Sequence, residues 1–146
     1  MLVAPHIATG VTLGIVLGEP LLVVPAAIAS HFLLDSIPHW QETMAPYHPT
    51  WKTYLRIPLD IGLGLAIISL ALYLQPERGL DIVLGAIFAS APDLDVVTIL
   101  FPRLRTDLVT KYWDWHCKIQ REVSSLAGVA TQLAVLAICF VTIFAS

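Results

Sequence analysis

The sequence predicts an all-α fold, a polytopic membrane helix bundle of about five transmembrane helices, with residues 1–146 forming a single domain. Three observations predict it. Hydrophobic residues form 57% of the chain and charged ones only 13%, whereas soluble domains carry about 25% charged residues. The mean hydropathy is +0.78. Apolar runs also recur from the first residues to the last, the pattern of repeated spans and not of one cleavable leader. A net charge of −3 sets nucleic acid aside as a partner. Two cysteines make no disulfide framework, and Cys117 in a polar stretch is not expected to pair with Cys139 in an apolar one.

The first run, Val3 to Gly18, holds His6 near its start and Gly10, Gly14 and Gly18 at four-residue spacing. Such a small-residue stripe lets another helix approach closely, and a second copy of the chain is one expected occupant. Gly18-Glu19-Pro20 reads as a tight turn. The second run, Leu21 to Leu34, leads into Ser30–His39. Both runs are short of the roughly 20 residues a spanning helix needs. Extended from Val3 and to Ile37 they make a short transmembrane hairpin, with a re-entrant pair as the competing reading. Trp40 to Trp51 is a loop with Pro46, Tyr47, His48 and Pro49, flanked by interfacial aromatics. The third run, Tyr54 to Leu74, carries Asp60 near its start, and Gln75 to Gly79 is a turn. The fourth, Leu80 to Leu100, contains Ala91-Pro92-Asp93-Leu94-Asp95 in its second half. Phe101 to Glu122 is polar and aromatic, a surface helix with Trp113, Trp115 and His116. Val123 to Ala145 is the fifth run and has no charge.

With five spans, the N-terminus, the Trp40–Arg56 connection and the Phe101–Glu122 segment share one side. Lys52, Arg56, Arg103, Arg105, Lys111, Lys118 and Arg121 fall there, and Arg78 falls opposite. The positive-inside rule makes that side cytoplasmic. The expected location is therefore a prokaryotic inner membrane, with the N-terminus inside. Residues 3–39 and 57–97 also read as a duplicated helical hairpin. His6-Ile7-Ala8-Thr9-Gly10 aligns with Asp60-Ile61-Gly62-Leu63-Gly64, and Ala29-Ser30 before Asp35 aligns with Ala89-Ser90 before Asp95.

On this topology His6, His31, Asp35, His39, Asp60, Asp93, Asp95 and His116 all fall at one membrane face. Ionisable groups in membrane segments are costly and mark ion paths or sites. Four crowded aspartates could not all stay ionised without cations. Histidine mixed with carboxylate is the ligand set of zinc, manganese or iron, zinc being the first expectation. His31, Asp35 and His39 are four apart and share a helix face, although Pro38 puts His39 at or past the helix end. His6, Asp60 and Asp95 join them as expected ligands. Asp60 has a plain alternative, pairing with Arg56 four residues earlier. Only one of Asp93 and Asp95 can face the metal from a helix. Asp95 is assigned there, and Asp93 is placed with His116 in acid–base work. So many ligands suit a two-metal centre with a bridging carboxylate.

His6, Pro92-Asp93-Leu94-Asp95 and Ser30-His31-Phe32-Leu33-Leu34-Asp35 together resemble the YdjM-like family of inner-membrane-associated metal-dependent hydrolases. The Pro-Asp-x-Asp and Ser-His elements stand here in swapped order. His31-x-x-x-Asp35-x-x-Pro38-His39 is also similar to the His-x-x-x-Asp…Pro-x-His element of zinc-dependent phospholipase C, with one residue fewer after the proline. The resemblance implies a metal-dependent hydrolase. A site at headgroup depth points to membrane lipids as surroundings and a lipid-like phosphoester as substrate. The alternatives are a divalent-metal or proton transporter, a haem or di-iron redox protein, and a structural subunit.

Overall fold

The ends of the first two helices explain how the chain folds back on itself. The computed structural model describes residues 1–41 and 51–146. Most of the expected loop between Trp40 and Trp51, His48 included, lies outside the described residues. Helix α1 (Val3–Leu17) stops at Gly18, whose φ of 59° is left-handed and whose N–H returns to the Gly14 carbonyl at 3.1 Å. Glycine adopts that conformation without a Cβ clash. Pro20 then opens α2 (Pro20–Ser36) at its first position, where no N–H is needed. Ile37 is extended, as a residue before proline prefers. His39 consequently lies beyond the helix that carries His31 and Asp35.

Helix α3 (Trp51–Leu74) is followed by a 3₁₀ turn at Pro76–Arg78 and by α4 (Gly79–Ser90). The fourth run, expected to continue to Leu100, breaks at Ala91. The backbone tightens to 3₁₀ across Ala91–Val96 and regains α geometry only in α5 (Val97–Leu100). Pro92 cannot donate the N–H that an uninterrupted helix would use. A 3₁₀ turn at Pro102–Leu104 leads to α6 (Asp107–Ile119), capped where the Thr106 hydroxyl accepts from Val109 N–H at 3.3 Å. Helix α7 (Ser125–Ala145) closes the chain. Among the described residues all regular structure is helical, and the single extended contact is an isolated parallel bridge between His39 and Glu122.

Helix α1 is the axis of the bundle. Ile7, Ala8, Val11 and Ile15 pack against Ile67 and Ala71 of α3, Ile82 and Ala86 of α4, and Cys139 and Ile143 of α7. The α1–α4 crossing is backbone on backbone. A Cβ on Gly10 would strike the Gly85 carbonyl, one on Gly85 would strike the Gly10 carbonyl, and one on Gly14 would strike the Asp81 carbonyl. The glycine stripe expected to serve self-association is thus occupied inside the chain by α4. Gly18, its third member, faces the Arg78 guanidinium. Cys117 and Cys139 are both free, the first exposed and the second buried.

Two stretches, Tyr54–Leu74 and Ser125–Ala145, are long and apolar enough to cross a membrane, with mean hydropathies of 2.0 and 2.2. Their Leu59, Leu65, Leu133, Ile138 and Phe144 side chains point away from the bundle. Helices α1 and α2 are apolar but shorter. Helix α4, at 12 residues, is about 18 Å long by helical rise.

Candidate metal centre

Four separate pieces of chain bring polar groups to one end of the bundle. Helix α2 presents His31 and Asp35 from successive turns, both fully buried. Helix α1 contributes His6 from its first turn, the 3₁₀ segment after α4 contributes Asp93 and Asp95, and α6 contributes His116. The Tyr112 hydroxyl, donating to the Pro92 carbonyl at 3.0 Å, holds α6 on the 3₁₀ segment. Backbone bonds join the end of α2 to the α6–α7 link. Arg121 N–H donates to the Asp35 carbonyl at 3.1 Å, His39 N–H to Arg121 at 3.0 Å, and Val123 N–H to His39 at 2.9 Å.

The two inner histidines have defined tautomers. His31 Nδ1 lies 2.8 Å from the Ala89 carbonyl. A carbonyl only accepts, so His31 Nδ1 carries a hydrogen and Nε2 is the ring atom that faces inward. His116 Nδ1 lies 3.1 Å from Asp95 Oδ2 and donates to it by the same reasoning. Its Nε2 is 2.8 Å from Asp35 Oδ2 and 3.1 Å from His31 Nε2. His31 Nε2 is itself 3.2 Å from Asp35 Oδ2. Asp93 Oδ1 stands 3.6 Å from His31 Nε2 and 3.9 Å from His116 Nε2. The ligand atoms of His31, Asp35, Asp93 and His116 all lie within 4.8 Å of one another.

Electrostatics show what the cluster lacks. Burial alone would lower His116, but its hydrogen bonds to Asp35 and Asp95 outweigh that and raise it to about 9. At neutral pH a proton on His116 Nε2 therefore faces two acceptors, Asp35 Oδ2 and His31 Nε2, and one proton cannot serve both fully. The donors are two imidazole nitrogens and two carboxylates, a set that suits zinc, manganese or iron. Each imidazole has its far nitrogen held by an oxygen, the outer arrangement that orients metal-binding histidines. The residues fit a metal.

Asp35 Oδ1 points the other way. It meets the Met1 amino group and lies 3.2 Å from His6 Nε2. The His6 ring stacks on His31 with centroids 4.1 Å apart and planes 21° from parallel. Both His6 ring nitrogens are fully buried and neither has an aligned hydrogen-bond partner. Leaving such groups unsatisfied costs about 1–3 kcal/mol each. His39 Nδ1 donates to the Ile37 carbonyl at 2.8 Å, and its buried Nε2 has no partner. Burial, then the Met1 ammonium, hold His39 below the usual histidine range.

The geometry places five of the expected site residues as follows. Asp60 is outside the cluster, because its two oxygens accept from Val3 N–H at 2.6 Å and Ala4 N–H at 3.0 Å. It caps the start of α1 from a neighbouring helix. Its suggested partner Arg56 lies over the Trp40 ring, 5.2 Å from the centroid. Asp93 and Asp95 exchange parts: Asp93 joins the converging atoms, and Asp95 stands behind His116. His116 thereby sits among the ligand atoms instead of apart from them, while His39 is not among the four. Trp113 is buried, and Trp115 packs on Phe32 at 5.2 Å.

Gln132 went unnoticed in the sequence. Its amide nitrogen donates to the Trp40 carbonyl at 2.8 Å and its oxygen accepts from Leu2 N–H at 3.0 Å, so α7 ties both chain ends of the cluster together. A lone amide in an otherwise chargeless span was the available signal. Compared with known proteins, the chain matches no family model, no curated protein and no solved structure, and its chemistry is read from this geometry alone.

Proposed function

We propose that the protein is a multi-pass membrane hydrolase, dependent on a divalent metal, that cleaves a phosphoester of a lipid or phospholipid headgroup at the cytoplasmic interface. The observation that carries this reading is the convergence of two pre-oriented imidazole Nε2 atoms with Asp35 and Asp93 at one end of an apolar bundle. Zinc is the first choice, with manganese or iron next. A bound cation supplies Lewis acidity toward a phosphoryl group and the water that attacks it. The residues of the chain do the rest. His31, Asp35 and His116 hold the charge in place, and Asp95 fixes the His116 ring and balances its positive charge. Asp93, the member of the four with the most solvent contact, would complete the set of ligands. Exposed Leu104, Leu108 and Trp115, beside Arg103 and Lys111, suit an anionic lipid approaching α6.

The membrane arrangement belongs to the same proposal. Helices α1 and α2 form a short hairpin, α3 and α7 cross fully, and α4 with its continuation supplies the fifth span. Seven of the eight basic residues lie toward the cluster by their places in the sequence, and Arg78 lies by Gly18 at the other end. That asymmetry favours a cytoplasmic site, as does the resemblance to the YdjM-like family. One observation favours a second reading, a metal or proton transporter. Asp81, on the first turn of α4, is buried with Oδ1 unpartnered, a second polar station away from the cluster.

Elemental analysis of detergent-purified chain, wild type beside Asp35→Ala, tests the metal. The expected result is bound zinc, manganese or iron in the wild type and its loss in the variant, together with metal-dependent release of phosphate from lipid phosphoesters. Wild-type protein that stays metal-free after incubation with these ions overturns the reading. Metal flux in proteoliposomes without hydrolysis transfers it to the transporter. Labelling of Cys117 by an impermeant maleimide only from the cytoplasmic side is expected for the proposed orientation.

A further inference from the structure

The two oxygens of Asp35 face two different histidines, and the symmetry of that arrangement exceeds what a single ion requires. On one side His31 Nε2 lies 3.2 Å from Oδ2, and on the other His6 Nε2 lies 3.2 Å from Oδ1. The two rings are stacked, 4.1 Å between centroids. They therefore present their nitrogens side by side to opposite oxygens of one carboxylate.

His6 has the Asp35 carboxylate and the His31 ring as its recorded neighbours. It is fully buried, and neither of its nitrogens makes an aligned hydrogen bond, unlike His31 and His116, which each spend Nδ1 on an oxygen. Asp35 Oδ1 already draws a positive group, the Met1 amine. From this geometry we infer a second divalent-cation position, distinct from the one formed by His31, Asp93 and His116, with Asp35 as the bridge and His6 Nε2 as its histidine ligand. This inference rests on the metallohydrolase reading and specifies how its centre would be built: one metal clamping each side of the substrate phosphoryl group.

The test uses the whole chain in detergent, stripped with chelator and reloaded with Mn²⁺. Wild-type protein is expected to bind two equivalents and to give the electron paramagnetic resonance spectrum of an exchange-coupled pair. His6→Gln is expected to lose one equivalent and to give the six-line spectrum of isolated Mn²⁺. Because the wild-type spectrum alone distinguishes a pair from a single ion, poor folding of the variant does not blunt the test. A wild type with one uncoupled ion overturns the second position and leaves the first intact. A wild type that binds none overturns both. Two coupled ions retained in His6→Gln overturn the role of His6.

Discussion

A carboxylate can serve a neighbouring backbone or a neighbouring side chain, and Asp60, on the start of α1, and Asp95, on His116, show how differently the two behave. Asp60→Ala removes the acceptor for two N–H groups at the start of α1. It should cost about 1–2 kcal/mol of stability, as lost helix caps do, while leaving metal stoichiometry unchanged. Denaturation of the purified chain beside a metal assay checks both halves, and loss of metal without loss of stability would return Asp60 to the ligand set. Asp95→Asn should do the reverse. It frees the His116 ring without unseating α6, and metal affinity should fall about 10–100-fold at constant melting temperature. His31 and Asp35 were legible in sequence because their spacing of four in an apolar run leaves few other uses. Asp60 was not, because a sequence does not say whose N–H groups lie opposite. The exchange between Asp93 and Asp95 was hidden for a related reason: helical spacing was assumed through Pro92, and the backbone there is 3₁₀.

The elements owe their arrangement to one close crossing. Gly10 and Gly85 bring the α1 and α4 backbones together, which positions the Ala89 carbonyl to fix His31. Gly10→Val should therefore destabilise the bundle by at least the ~1–3 kcal/mol typical of overpacking, because the obstacle is backbone and cannot rotate away. A melting curve in detergent matching that of the wild type would rule this crossing out. The sequence displayed the glycine stripe clearly, yet a stripe records that something comes close and not what. A second copy and α4 were equally consistent with it until the fold placed α4 there. Gln132 was overlooked for the opposite reason. Nothing periodic surrounds it, and its meaning depends on Leu2 and Trp40, which are remote in the chain.

For the molecule as a whole, the proposed centre couples metal to protons. The metal-free cluster holds a proton on His116, whose pKa is raised to about 9, and a cation must expel it to reach Nε2. Affinity should accordingly rise with pH toward about 9, and binding at pH 7 should release roughly one proton for the ion that His116 holds. Calorimetric titration of Zn²⁺ in buffers of different ionisation enthalpy counts that proton, and heats that do not vary with buffer would contradict it. The linkage for folding has a definite sign. A folded-state pKa above the ordinary histidine value means that His116 stabilises the metal-free fold below pH ~6.5 and that this contribution disappears as pH rises through about 9.

The cap that Asp60 places on α1 also bears on how the protein is made. Helix α1 is finished by a residue synthesised more than fifty positions later, and the cluster closes only when His116 follows. Until then a nascent chain carries histidines and a carboxylate with no settled partners. Assembly of this bundle thus runs partly backwards, with α1 among the last elements to reach its final state.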